Sequence, residues 1–248
     1  MKKYILALSL ILFAISSGKS KAITCTSEGI DENSNACDSC GENCSWSFND
    51  GILKVSGDIQ FYLDGRNTPW YQDALKEQVR SIDASQVTSF NHSSFEDLPY
   101  VTTVIMPKNI TTIPSELFRG CRSLETLEIP DTVTSIGNYA LSKMTALKSL
   151  IIPDCVTDIS PSAFEDSTNL TAIYCTGNVD ACRENVGESL ADKVQAVSIK
   201  EMNGVRYAVD KNGKVIASSG QRTEKRIYTL EEANFVAGPV NRVSIKYK

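Results

Sequence analysis

The 248-residue sequence predicts an α/β fold: a short solenoid whose coils stack into a parallel strand ladder, with an N-terminal cysteine-rich β cap and a small C-terminal α+β module. Three observations carry that reading. Apolar residues recur in columns spaced 23 residues apart, the repeats end in period-two alternation closed by proline, and four cysteines crowd into 20 residues ahead of the array. One coil of this size cannot bury its apolar face alone. Stacked coils share a continuous interior, so the period itself implies a solenoid.

The N-terminus reads as an export signal over residues 1–22. Lys2 and Lys3 give a positive start, Tyr4 to Ile15 an apolar run, and Ser20-Lys21-Ala22 a small-residue cleavage site. That run is shorter than the ~20 apolar residues a membrane span needs, and no longer one follows, so no transmembrane segment is expected. Thr24 ahead of Cys25 makes a poor lipid-attachment box. Removing the signal takes four of the 25 basic side chains and leaves 21 against 30 acidic ones, a net charge of −9. Such a balance argues against nucleic acid as a partner, because phosphate binding needs clustered Lys and Arg.

Residues 23–86 are read as the cysteine-rich cap. Of the eight cysteines, Cys25, Cys37, Cys40 and Cys44 lie there, and disulfides suit an exported chain. The same four thiolates at short spacing leave zinc as an alternative. Trp46 to Val55 predicts a hairpin, with Asn49-Asp50-Gly51 as its turn. Val79 to Ala84 reads as one further strand, a residue out of register with the array.

Four repeats occupy residues 87–179. Val87, Ile110, Val133, Val156 and Val179 form one column, and Thr88, Thr111, Thr134 and Thr157 the next. Phe90, Ile113, Ile136 and Ile159 follow, then Phe95, Phe118, Leu141 and Phe164, and Val101, Leu124, Leu147 and Leu170. In Leu124-Glu125-Thr126-Leu127-Glu128-Ile129 the end alternates, which predicts a strand with Leu127 and Ile129 inward. Pro107, Pro130 and Pro153 stop the strands because they lack an N–H. The Phe118 column is placed on a short helical or irregular return segment.

Units such as Thr134-Ser135-Ile136-Gly137-Asn138-Tyr139-Ala140-Leu141 followed by Leu147-Lys148-Ser149-Leu150-Ile151-Ile152-Pro153 resemble the BspA-type leucine-rich repeats. Cys44-Ser45-Trp46-Ser47-Phe48, then Gly51, Leu53, Val55, Gly57 and Trp70, resembles the segment preceding such repeats. The resemblance covers about residues 40–179. It implies a secreted or surface-displayed protein used for adhesion or protein contact, with no catalytic residues.

Behind the array, residues 180–194 are read as a C-cap segment, where Cys175 and Cys182 are spaced to close a small loop. Cys121 shares a column with Leu98 and Met144 and is expected to be a buried thiol. Residues 195–248 form the α+β module. Asn203-Gly204 and Asn212-Gly213 predict hairpins, Thr229-Leu230-Glu231-Glu232 caps a helix to about Val236, and Arg242 to Tyr247 alternates as a last strand.

Function on a solenoid usually lies on the concave strand face. Two outward columns are predicted there: Thr103, Thr126, Ser149 and Ala172, and Ile105, Glu128, Ile151 and Tyr174. The second is unusually apolar. Thr103, Ile105, Thr126, Glu128, Ser149, Ile151 and Tyr174 are the candidate site, and a protein or peptide is the expected partner of a monomer. An exported hydrolase or a thiol-redox protein on the same scaffold is the alternative. It lacks support, since His92 is the only histidine and lies in a polar turn, and no βαβ pattern surrounds Cys37-x-x-Cys40. No catalytic residue, metal or cofactor is expected, and the location is secreted or cell-surface, with the periplasm as a variant.

Overall fold

The computed structural model describes residues 23–25, 40–41, 43–60, 68–71, 73–202, 205–210 and 212–219. The export signal, Cys37, the expected helix at 229–236 and the last strand at 242–247 lie outside the described residues.

Strands β1 (Ile23–Cys25), β2 (Cys44–Asn49), β3 (Ile52–Asp58), β4 (Ser81–Ser89) and β5 (Thr103–Ile105) form one sheet in chain order. β2 and β3 make the expected hairpin, with Trp46 opposite Val55. Its turn holds Asp50 at φ 48° and Gly51 at φ 81°. Two successive left-handed residues match the right-handed twist of the strands, which is why an Asp-Gly pair serves there. From β3 onward the pairing is parallel, and the solenoid begins.

Six short strands follow: β6 (Thr112–Ile113), β7 (Ser135–Ile136), β8 (Ser149–Ile152), β9 (Asp158–Ile159), β10 (Ala172–Cys175) and β11 (Val194–Ala196). β8, β10 and β11 continue the main ladder in parallel. Between β5 and β8 the predicted strand around Leu127 is reduced to a single bridge, Glu128 to Ile151. β6, β7 and β9 make a second parallel ladder on another side of each coil. The sequence does not announce that ladder, because two residues are too few to show a period.

The columns stack as the period requires. Val101, Leu124, Leu147 and Leu170 are wholly buried in one core that runs from Cys40 to Val194. Phe95 stacks on Phe118 with ring centres 5.9 Å apart, and Trp70 lies 5.7 Å from Phe95 on the other side. The threonine column has a polar reason. Thr134 donates both its amide (2.8 Å) and its hydroxyl (3.1 Å) to the Thr111 carbonyl, one coil back.

The return arc is made of turns, with no helix. Its amides point forward: Phe95 bonds the Leu117 carbonyl, Phe118 that of Ala140, and Leu141 that of Ala163. Backbone polar groups are thereby paired on more than one side of the coil, as burial demands. The arc bends through left-handed residues at fixed places. Ser93, Glu116 and Tyr139 occupy one such place; Asp97, Gly120, Lys143 and Asp166 occupy another. Here the buried Glu96 carboxylate accepts from Arg119 of the next coil. Burial opposes the charged guanidinium, but the hydrogen bond and charge of Glu96 outweigh it and hold Arg119 above its usual range.

Among the described residues three short α-helices stand outside the strands: α1 (Asp73–Lys76) between β3 and β4, then α2 (Val179–Val186) and α3 (Glu188–Ala191). Asn178 caps α2 by accepting from the amides of Asp180 (3.0 Å) and Ala181 (3.3 Å). The ladder still gains a rung behind them, since Val194 pairs with Ile173. That coil is 21 residues long where Leu150 to Ile173 takes 23, so the fixed period misses it. Finally β12 (Ser198–Met202), β13 (Val205–Val209) and β14 (Val215–Ser219) form an antiparallel sheet, with Asn212-Gly213 between β13 and β14, while Asn203-Gly204 lie outside the described residues.

Candidate functional site

Parallel register lays two columns of side chains along the outer face of the main ladder. Ile52, Ser81 and Thr103 are aligned across β3, β4 and β5, as are Lys54, Asp83 and Ile105. Thr126, Ser149 and Ala172 extend the first column by the repeat, and Ser149 pairs with Ala172. Glu128, Ile151 and Tyr174 extend the second through their own pairings. The structure therefore brings the seven predicted residues together on one face.

It does not leave them equally open. Thr126 is exposed, and Thr103, Ile105, Glu128 and Ser149 are half-buried. Ile151 and Tyr174 retain only 6% and 8% of their surface. They are packed with Ala172 against Val197, Ala208 and Ile199, which belong to the chain behind β11 and to strands β12 and β13. The expectation that these two present an apolar patch to a partner is corrected by this contact. Their apolar character is explained by the chain's own C-terminal sheet. The Tyr174 hydroxyl is raised above its ordinary pKa by the same burial.

The open part of the face spans β3 to β8. Ile52 is 41% exposed there, and Lys54 reaches Asp83 at 4.0 Å across the β3–β4 rung. Arg80 lies over the Tyr100 ring, 4.9 Å from its centre, just ahead of β5 in the chain. Sequence reasoning missed Ile52, Lys54 and Asp83, because their coils depart from the repeat. From Leu53 to Ile82 the chain runs 29 residues before the ladder is rejoined.

The cysteines divide by place. Cys40 with Cys44, and Cys175 with Cys182, stand at disulfide distance. The first pair removes two of the four thiolates that a zinc site would use. Cys121 is fully buried, and burial pushes its thiol up to about 12. Cys155 donates to the carbonyls of Asp131 (2.7 Å) and Val133 (3.0 Å), as the Thr132 hydroxyl does to Lys108 and Ile110 one coil earlier. His92 is exposed, and its amide donates to the Asn91 side chain at 2.7 Å. A shallow groove of about 320 Å³ runs over the second ladder between Thr112, Ser135, Asn138 and Asp158.

The family model for the BspA type leucine rich repeat region matches residues 77–202 in six copies. This chain belongs to the BspA-type leucine-rich-repeat family. Six copies exceed the four expected, and the matched range takes in both irregular coils, the one at β4 and the one at β11. Repeats of this family generally mediate protein binding and are generally non-catalytic. A leucine rich cell surface protein from Faecalibacterium prausnitzii is similar at 18% identity, over 60% of this chain and 42% of its own, with a TM-score of 0.42. A leucine-rich repeat protein from Eubacterium ventriosum is similar at 19% identity, over 76% and 48%, with a TM-score of 0.47. One from Bacteroides ovatus matches at 20% identity, over 53% and 45%, with a TM-score of 0.34. The chain spans less than half the length of each. No curated protein matches. Among the described residues no helix is long and apolar enough to cross a membrane.

Proposed function

We propose that the chain is a secreted or surface-displayed, adhesin-like protein that binds a protein or peptide on the open strand face and performs no catalysis. One observation carries the reading: an ordered face of rungs, apolar at Ile52 and Ile105 and charged at Lys54, Asp83 and Glu128, is half-buried to exposed between β3 and β8, with no other described strand packed over it. At ~4.8 Å per rung such a face is broad and open, a shape for another protein surface more than for an enclosed small molecule. Thr103, Ile105, Thr126, Glu128 and Ser149 are the contact residues on this reading. Residues 1–22 act as the export signal, and the cysteine-rich segment and the hairpin β2–β3 cap the front of the array.

The test uses the mature chain immobilised against envelope and host-surface protein extracts, beside an Ile105→Lys, Thr126→Lys variant. Captured partners should be lost from the variant while its far-UV CD spectrum and melting stay those of the parent. Capture that is identical on both would sink the assignment of this face.

A further inference from the structure

The rear of the strand face raises a separate question, namely why an exterior ladder face is apolar and then covered by the chain's own sheet. We propose that β12–β14 is a hinged cover, which lifts as a unit and exposes Ile151, Ala172 and Tyr174 beside the open face. The inference deepens the strand-face reading and rests on it, since it makes the size of the binding surface adjustable.

Four features support a separable cover. Its contact is a hydrophobic cluster of its own: Ile151, Ala172, Tyr174, Val197 and Ala208, with Ile199 against them, stand apart from the continuous core beneath. The two sets are divided by the pleat of the ladder. Leu150, Ile152, Ile173 and Cys175 point into the core, while Ile151, Ala172 and Tyr174 point out.

The ladder is also complete without the cover. β8, β10 and β11 bond one another in register, and none of these pairings uses β12, β13 or β14. Lifting the sheet breaks no rung.

The hinge is short and defined. The Val197 amide still bonds the Cys175 carbonyl at 3.1 Å, and β12 begins at the next residue. Motion is thereby confined to rotation about one edge of the ladder.

Lastly, the cover grips through few side chains: Val197, Ile199 and Ala208 are its described apolar contacts. Ala208 sits fully buried in the contact, opposite Ile199 in the β12–β13 pair, and neither described disulfide crosses it. A small apolar contact outside the cooperative core opens at a lower free energy than the whole fold.

Thiol trapping on the full chain tests the device. Ile151→Cys places a thiol beneath the cover, Ile105→Cys places one on the open face, and Cys121 reports the core; alkylation of each is followed by mass spectrometry of its peptide. The thiol of Ile151→Cys should react at least about tenfold more slowly than that of Ile105→Cys, and at least about a hundredfold faster than Cys121. Adding Ala208→Asp, which puts a carboxylate into the contact, should raise its rate about tenfold or more and leave Cys121 unchanged. Tyr174→Cys repeats the measurement should Ile151→Cys fail to fold. Reaction at the Cys121 rate means the sheet opens only with global unfolding, and reaction at the Ile105→Cys rate means it does not cover the face; either overturns the proposal. No partner enters this measurement, so a cover that opens while the charge substitutions leave capture intact would overturn the binding reading alone.

Discussion

The indole Nε1 of Trp70 donates to the carbonyl of Ser94 at 2.8 Å. Within the array that carbonyl position is filled from the preceding coil: Leu117 accepts from the Phe95 amide, Ala140 from Phe118 and Ala163 from Leu141. Ser94 opens the series, and among the described residues no earlier arc serves it. Trp70 supplies the missing donor and packs its tilted ring against Phe95, so a single side chain closes both the polar and the apolar end of the arc.

Trp70→Phe separates the two roles. Packing area is largely kept, but a buried carbonyl is left unpaired, which costs ~1–3 kcal/mol. With a denaturation midpoint moving ~2–4 °C per kcal/mol in a chain of this size, calorimetry should read a fall of several degrees. Trp70→Leu should fall further, because it also empties part of the core. A melt of Trp70→Phe equal to the parent's would show that the Ser94 bond contributes nothing.

Cys121 tells of the same arc. Its thiol donates to the Phe95 carbonyl at 3.3 Å, and Ser167, two coils on, donates to Leu141 at 2.7 Å. Each partner lies 26 residues back, so the column alternates between apolar filler and a short donor. Cys121→Ser is therefore tolerated better than Cys121→Asp, which would bury a charge. Desolvation raises the thiol from 9.0 to about 12. A group with a raised folded pKa contributes stability that is whole below the unfolded value and is lost as pH climbs from ~9 towards ~12. Chemical denaturation across that window should show a decline that Cys121→Ser removes. At neutral pH the native thiol should resist alkylation until the protein unfolds.

Much of this fold was legible in the sequence, and the reason is mechanical. In a solenoid each coil touches only its neighbours, so a strict spacing in sequence is a strict spacing in space. Leu124, Leu147 and Leu170 are buried over one another because nothing between them changes length. Legibility ended where coils change length, at the 29-residue step from Leu53 to Ile82 and the 21-residue step from Ile173 to Val194. Left-handed turns at Glu116 and Tyr139 were invisible, since neither residue type announces a positive φ. The candidate site was half legible. Periodicity placed Ile151 and Tyr174 on the outer face correctly, but whether an outer face is open depends on a sheet that follows no repeat.

Tyr174 gives the cover a spectroscopic handle. Burial lifts its hydroxyl above the ordinary tyrosine value near 10, which means the docked sheet favours the neutral phenol. Docking is accordingly unaffected below that value and is weakened as pH rises through the raised one. Absorbance at the phenolate band should show a component raised above the ordinary tyrosine range, missing in Tyr174→Phe. In the parent, exchange of the amides in β12 and β13 should quicken over the same pH range. Amide exchange in β12 and β13 that stays unchanged over this range would argue that the sheet does not hold Tyr174 from water.

Gly137 sets how closely two coils stack. A Cβ there would lie 2.7 Å from the Ser115 amide nitrogen and 3.1 Å from the Pro114 carbonyl carbon, both backbone atoms of the coil before. No side chain can move aside to admit it. The Gly137 amide also donates to the Ile113 carbonyl at 2.8 Å, so any separation of the coils lengthens a rung of the β6–β7 ladder as well. Alanine normally stabilises a chain relative to glycine by restricting the unfolded state, by ~0.4–1 kcal/mol. Here the clash should dominate, and Gly137→Ala should cost ~1–3 kcal/mol in urea unfolding. The neighbouring coils offer the internal control. Pro114 and Ser160 occupy the same column, and the Ser160 amide bonds Ile136 at 2.9 Å, so the bond itself accommodates a side chain. What differs at Gly137 is the approach of the Ser115 backbone. A stabilised Gly137→Ala would mean the coils can slide apart at that rung without loss, and close stacking there would not be a requirement of the fold.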